Sequence, residues 1–368
     1  MFDLENYEIF KIVNLSAFIL GLLFGAVAQK NQFCFSGSIK DYILTDSTKR
    51  AASVVMAIIV AILATYAVSN YNEIDLSETV YLKENVNYFT IIAGGALFGV
   101  GMMIADGCSS RHLVKFAQGD PYSLVTLVFI AIFAYATTKG ALNTIISPIT
   151  SNETLINISS YLGNEQLNIF VIVIPLVIYL LILTKSFKRI LTLRDGVVMG
   201  LIVAIGWYIT GVIGIESMER QINLSSVTFV YPSAQTLEFF SYFQVTELSF
   251  GVSVVLGVVS GAFIMSKFNR RYSFGCTSKL QHSKIKYNMI GGALMGTGGV
   301  LAIGCTVGQG LTGISTLATA SVIAILSIMI SGFLTAKYLG KQDKLPMCFI
   351  FEWDDDHDKK KSGSDYQI

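Results

Sequence analysis

The sequence predicts an all-α polytopic membrane protein of about nine transmembrane helices, arranged as two inverted repeats with short re-entrant helices at the centre. Three observations predict this. Of 368 residues, 53% are hydrophobic and only 14% are charged, with a mean hydropathy of +0.60. Long apolar runs recur along the whole chain, as a lipid solvent requires. A glycine-rich signature that ends in cysteine occurs twice.

The apolar runs place spans near 15–28, 51–69, 89–105, 121–139, 168–184, 195–214, 248–266, 287–303 and 316–339. A full crossing takes about 20 apolar residues. The first fourteen residues hold Asp3, Glu5, Glu8 and Lys11, not the basic start of a cleavable signal, so the first span reads as a retained helix. Basic residues alternate between loops. Lys30, Lys40, Lys49 and Arg50 follow the first span; Arg111 and Lys115 follow the third. Lys185, Lys188, Arg189 and Arg194 follow the fifth; Lys267, Arg270, Arg271, Lys279, Lys284 and Lys286 follow the seventh. The intervening loops are nearly free of them. By the positive-inside rule the N-terminus lies outside and the C-terminus in the cytoplasm. The tail 341–368, with its Asp354-Asp355-Asp356 and Lys359-Lys360-Lys361 runs, reads as a polar cytoplasmic end.

The repeat is the most informative feature. Gly94, Gly95, Ala96, Leu97, Gly99, Gly101, Ala105, Gly107 and Cys108 recur at one constant offset. They become Gly291, Gly292, Ala293, Leu294, Gly296, Gly298, Ala302, Gly304 and Cys305. The copies fall on spans three and eight. These are an odd number of spans apart, so they cross in opposite directions, which is the plan of inverted-repeat transporters. Residues 1–140 then form the first repeat, 141–194 a connector holding the fifth span, and 195–340 the second repeat. Glycines four apart let membrane helices approach closely, which places spans three and eight side by side.

Each repeated cysteine follows a glycine where its span ends. Gly107-Cys108-Ser109 and Gly304-Cys305-Thr306 read as turns that begin short helices, with Ser109 and Thr306 available as caps. The N-terminus of such a helix presents free N–H groups to an anion. Cys34, between Phe33 and Phe35 and ahead of Ser36-Gly37-Ser38, permits a third such segment. Buried cysteines also serve as small apolar packing residues; duplication is what singles out Cys108 and Cys305. Cys276 in the most basic loop, Asp106 just before Cys108, Arg111 and Gln309 are accessory candidates. Asp106 reads as an interfacial acid facing water or paired with Arg111. Arg111, Lys115, Arg270 and Arg271 read chiefly as cytoplasmic loop cations, placed to draw an anion out.

Other chemistries fail on spacing. No CxxC, CxxH or HxxH occurs, which argues against zinc and leaves no expected cofactor. His112, His282 and His357 fall in expected cytoplasmic segments, which leaves haem unsupported. No Walker A sequence is present.

At the segments around Cys34, Ala105-Asp106-Gly107-Cys108-Ser109 and Ile303-Gly304-Cys305-Thr306, the sequence resembles the YeeE/YedE family of membrane proteins. The resemblance covers most of the nine expected spans. It implies uptake of thiosulfate across a bacterial inner (plasma) membrane, not catalysis. It also implies an hourglass of inverted repeats whose central cysteines, here Cys34, Cys108 and Cys305, contact the anion in succession. Gly107, Ser109, Gly304 and Thr306 flank them. A separate TusA-like sulfur-carrier protein is the implied cytoplasmic partner. The chemistry is coherent on its own terms. Thiosulfate is a dianion with a soft terminal sulfur, and a neutral thiol is a weak donor to it. Weak contacts suit a pathway in which every site must release what it binds. Another sulfur or selenium species as cargo, and a membrane sulfurtransferase, stay open at this stage.

Overall fold

The computed structural model describes residues 4–82, 87–150, 169–185, 187–215, 222–242, 248–272, 281–342 and 345. Among them the chain is helical, with no strand. The first part runs α1 Leu4–Asn31, α2 Phe35–Thr45, α3 Lys49–Asn72, α4 Tyr88–Ile104, α5 Ser109–Ala117 and α6 Pro121–Thr138. Next come α7 Ala141–Thr150, α8 Ile169–Thr184 and α9 Phe187–Ile190. The last part runs α10 Arg194–Tyr208, extended by a π-helix over Ile209–Ile213, then α11 Val230–Ser241, α12 Phe250–Phe268 and α13 Gln281–Leu301. A short helix α14 over 306–315 widens to a π-helix at Gly308–Gly313, and α15 is Thr319–Lys341.

Local sequence explains where the helices begin. The Asn87 side chain accepts from the N–H groups of Phe89 and Thr90 and starts α4. Asp120 accepts from Tyr122 N–H ahead of Pro121, which occupies the first helical position, where its missing N–H costs nothing. Ser249 accepts from Val252 N–H at the head of α12.

Among the described residues, seven helical stretches are long and apolar enough to cross a membrane: Ile9–Thr45, Lys49–Asn72, Tyr88–Ala117, Pro121–Thr138, Arg194–Ile213, Phe250–Phe268 and Thr319–Lys341. The expected span 168–184 is the 16-residue α8, and the expected span 287–303 falls on α13. Large apolar side chains such as Ile12, Leu15, Leu63, Phe170 and Ile182 point outward. That is the surface a bilayer solvates.

The repeated glycines are the seams of the fold. A Cβ on Gly94 would lie 2.6 Å from Ala302 N and 2.7 Å from Gly298 O. One on Gly101 would lie 2.7 Å from Gly291 O. Rising numbers on one helix meet falling numbers on the other, so α4 and α13 pack antiparallel, glycine against glycine. The outer faces match too. Gly95 and Gly99 lie against the backbone of α15 at Ala324 and Ile328, while Gly292 and Gly296 lie against α6 at Thr126 and Ile130. Two further seams join α1 to α12 through Gly21, Gly25, Gly257 and Gly261, and α3 to α10 through Gly196 and Gly200. Without a hydrophobic drive between helices in lipid, close backbone approach supplies the packing energy.

Candidate functional site

The site is built at two matching turns. Helix α4 ends with Gly107 N–H donating to Met102 O at 2.9 Å, and α13 ends with Gly304 N–H donating to Gly299 O at 2.8 Å. The residue before each glycine is left-handed: Asp106 at φ 65° and Ile303 at φ 57°. A left-handed residue costs an L-amino acid about 1–2 kcal/mol, and a β-branched one is the worst suited to it. Both copies of the signature hold this strain at the same place, and in each the cysteine follows two positions later, after the glycine.

Each of the three predicted cysteines sits at the head of a short helix. Cys34 precedes α2, Cys108 precedes α5 and Cys305 precedes α14. The Cys34 sulfur accepts from Gly37 N–H at 3.5 Å and lies 3.0 Å from Ser36 Oγ. Cys305 Sγ accepts from Gly308 N–H at 3.3 Å. Cys108 Sγ lies 3.2 Å from Ser110 Oγ. The cysteines themselves therefore occupy the capping positions. Ser109 and Thr306, expected as caps, are already the first helical residues, and the buried Ser109 hydroxyl has no hydrogen-bond partner among the described residues. All three thiols are buried and unpaired by disulfide. The Cys34 and Cys108 side chains interact with each other, and Cys108 also meets the Thr306 side chain across the two halves. Cys305 faces the Tyr81 phenol, whose hydroxyl bonds to Thr228.

The accessory residues divide. Gln309 is buried, and its amide donates to Ala302 O, closing the end of α13. Gly107 leaves room for Arg111 and His112, since a Cβ there would lie 3.0 Å from Arg111 Cγ and 3.5 Å from His112 Nε2. Gly304 lies in the same way against Gln309, 3.2 Å from its Cγ. Cys276 and the tail beyond Leu345 lie outside the described residues. Arg270 and Arg271 are largely exposed, Arg271 donating to Lys30 O at 3.3 Å, and they do not join the thiols.

The largest departure from expectation concerns charge. Asp106 is not an interfacial acid paired with Arg111. It is buried and bridges Lys40 Nζ and Lys115 Nζ, each at 2.6 Å, tying α2 to α5. Arg111 instead donates to Gln32 Oε1. Arg50 pairs with the fully buried Asp41 at 3.2 Å. Lys40, Arg50, Arg111 and Lys115, read as loop cations, are thus all buried beside the thiols. Loop counting misses this because α2 and α5 fold back into the protein instead of lying at its surface. Lys40-Asp41 within the segment after Cys34 was the available signal. Gln32, Tyr81 and Thr228 carried none.

Fold and site together define a multi-pass α-helical membrane protein with a buried, thiol-lined centre. The chain belongs to the sulphur transport family, which it matches over residues 30–334. It is 26% identical over 355 residues to the thiosulfate transporter TsuA of Escherichia coli strain K12, covering 88% of this chain and 94% of that protein. It is 26% identical over 340 residues to the thiosulfate transporter TsuA of Spirochaeta thermophila, covering 86% of this chain and 96% of that protein.

Proposed function

We propose that this protein carries thiosulfate across the bacterial inner (plasma) membrane, along a path on which Cys305, Cys108 and Cys34 contact the anion in turn. The observation that carries this reading is the meeting of three helix heads that each begin at a cysteine. Cys34 reaches Cys108, and Cys108 reaches the first residue of the helix that Cys305 heads. Helix N-termini add N–H dipoles suited to negative charge, and sulfur contacts are weak enough to let the anion pass. Both named relatives are transporters, which favours transport over a sulfurtransferase and thiosulfate over other sulfur or selenium cargo.

The antiparallel packing of α4 on α13, with matched contacts to α15 and α6, supports two inverted repeats over 1–140 and 195–340, joined by 141–194. The N-terminus then lies outside and the tail 341–368 in the cytoplasm. There a TusA-like sulfur carrier takes over the product. The test is uptake of radiolabelled thiosulfate by cells making wild-type, Cys108→Ser or Cys305→Ser protein at equal membrane levels. Both substitutions abolish uptake on this reading. Wild-type uptake by the two variants sinks it.

A further inference from the structure

A cluster of charge sits where a thiol pathway has no need of it. Lys40, Arg50, Arg111 and Lys115 gather with the carboxylates of Asp41 and Asp106, and all six are more than nine-tenths buried. Both lysines are locked on Asp106, and Arg50 lies on Asp41. Arg111 is the exception. One of its nitrogens bonds to Gln32 Oε1, while buried Nη1 has no hydrogen-bond partner among the described residues. His112 Nε2, next to it in sequence and beside Gly107, has none either. A buried donor left unsatisfied costs about 1–3 kcal/mol, and more when charged. Arg111 and Arg50 both act electrostatically on the Cys34 thiol, and the Arg50 guanidinium packs directly on Gly37 in the first turn of α2. Gln32, which holds the Arg111 guanidinium, stands two residues before Cys34, so the orphaned nitrogen lies on the Cys34 side of the thiol row.

We propose that Arg111 Nη1 forms a separate anion station next to Cys34, with Arg50 behind it, that takes a divalent tetrahedral oxyanion. This rests on the thiosulfate reading and deepens it. The thiols meet the soft sulfur, whereas the guanidinium binds sulfonate-type oxygens by charge-assisted hydrogen bonds. The station selects by charge and shape, so sulfate, which lacks the soft sulfur, also occupies it.

The test is equilibrium binding of radiolabelled thiosulfate to the purified full chain in lipid nanodiscs, with sulfate as competitor. In the wild type, sulfate displaces a fraction of bound thiosulfate. Arg111→Gln weakens thiosulfate binding at least about tenfold and removes the sulfate competition. Arg111→Lys keeps the charge but loses the planar fork, and binds between the two. Absence of sulfate competition in the wild type overturns the station, as does wild-type binding by Arg111→Gln. The wild-type measurement decides even where a variant does not fold. Normal binding by Arg111→Gln with uptake lost in Cys108→Ser removes the station alone. Arg111-dependent binding in a chain that takes up no thiosulfate removes the transport reading alone.

Discussion

Asp106→Asn isolates the charge that ties α2 to α5. The substitution keeps side-chain volume, and asparagine tolerates the left-handed backbone at φ 65° as well as aspartate does, so no new strain enters. What changes is electrostatic. Lys40 Nζ and Lys115 Nζ, both 2.6 Å from the carboxylate and both buried, lose the anion they share. Lys115 keeps its 2.6 Å bond to Asp106 O. Breaking a buried pair by removing one partner costs roughly 3–5 kcal/mol, because uncompensated charge stays behind. At roughly 2–4 °C per kcal/mol for a mid-sized domain, and less for a longer chain, the melting midpoint falls by about 5 °C or more. The assay is thermal unfolding of purified protein in detergent at fixed lipid content. Replacing both lysines by methionine in the Asp106→Asn background removes the stranded charges and recovers most of the loss. A midpoint unchanged by Asp106→Asn, or a triple variant no more stable than the single one, refutes the bridge as the tie between the two short helices.

Two more outcomes follow from the seams and the outer face of the site. Gly94→Leu puts a side chain where 2.6–2.7 Å already separates a Cβ from the backbone of α13, so the yield of monodisperse protein collapses, whereas substitution at lipid-facing Leu63 leaves it unchanged. Burial holds the Tyr81 phenol well above its ordinary value of 10.0, so its contribution to stability is complete below pH 10 and is lost as the pH climbs past it; Tyr81→Phe flattens that alkaline decline, and an unaltered pH profile contradicts the burial.

Much of this architecture is legible along the chain because lipid imposes simple rules. Runs of apolar residues must be helices, and small residues must lie where helices touch. Gly94, Gly101, Gly291 and Gly298 therefore announce the central seam before any coordinates, and the constant offset of their repeat announces an antiparallel pair. The three cysteines were legible for the same reason: rare residues stand at equivalent or similar glycine-rich turns. The caps were misread, because a Gly-Cys-Ser string does not reveal whether cysteine or serine is the last residue before the helix.

Sequence by itself determined the helices, the repeated glycine faces and the identity of the thiols, since each depends on neighbours close in the chain or on periodic spacing. Only the tertiary structure decided what surrounds the thiols. Lys40 meets Asp106 across 66 positions, and Arg111 meets Gln32 across 79. A count of loop charges reads the order of cations along the chain and is blind to their depth. Lys40, Arg111 and Lys115, which look like a cytoplasmic signature, are buried because two short helices fold inward and carry them to the cysteines, and Arg50 at the head of α3 is buried against Asp41 of the first of these.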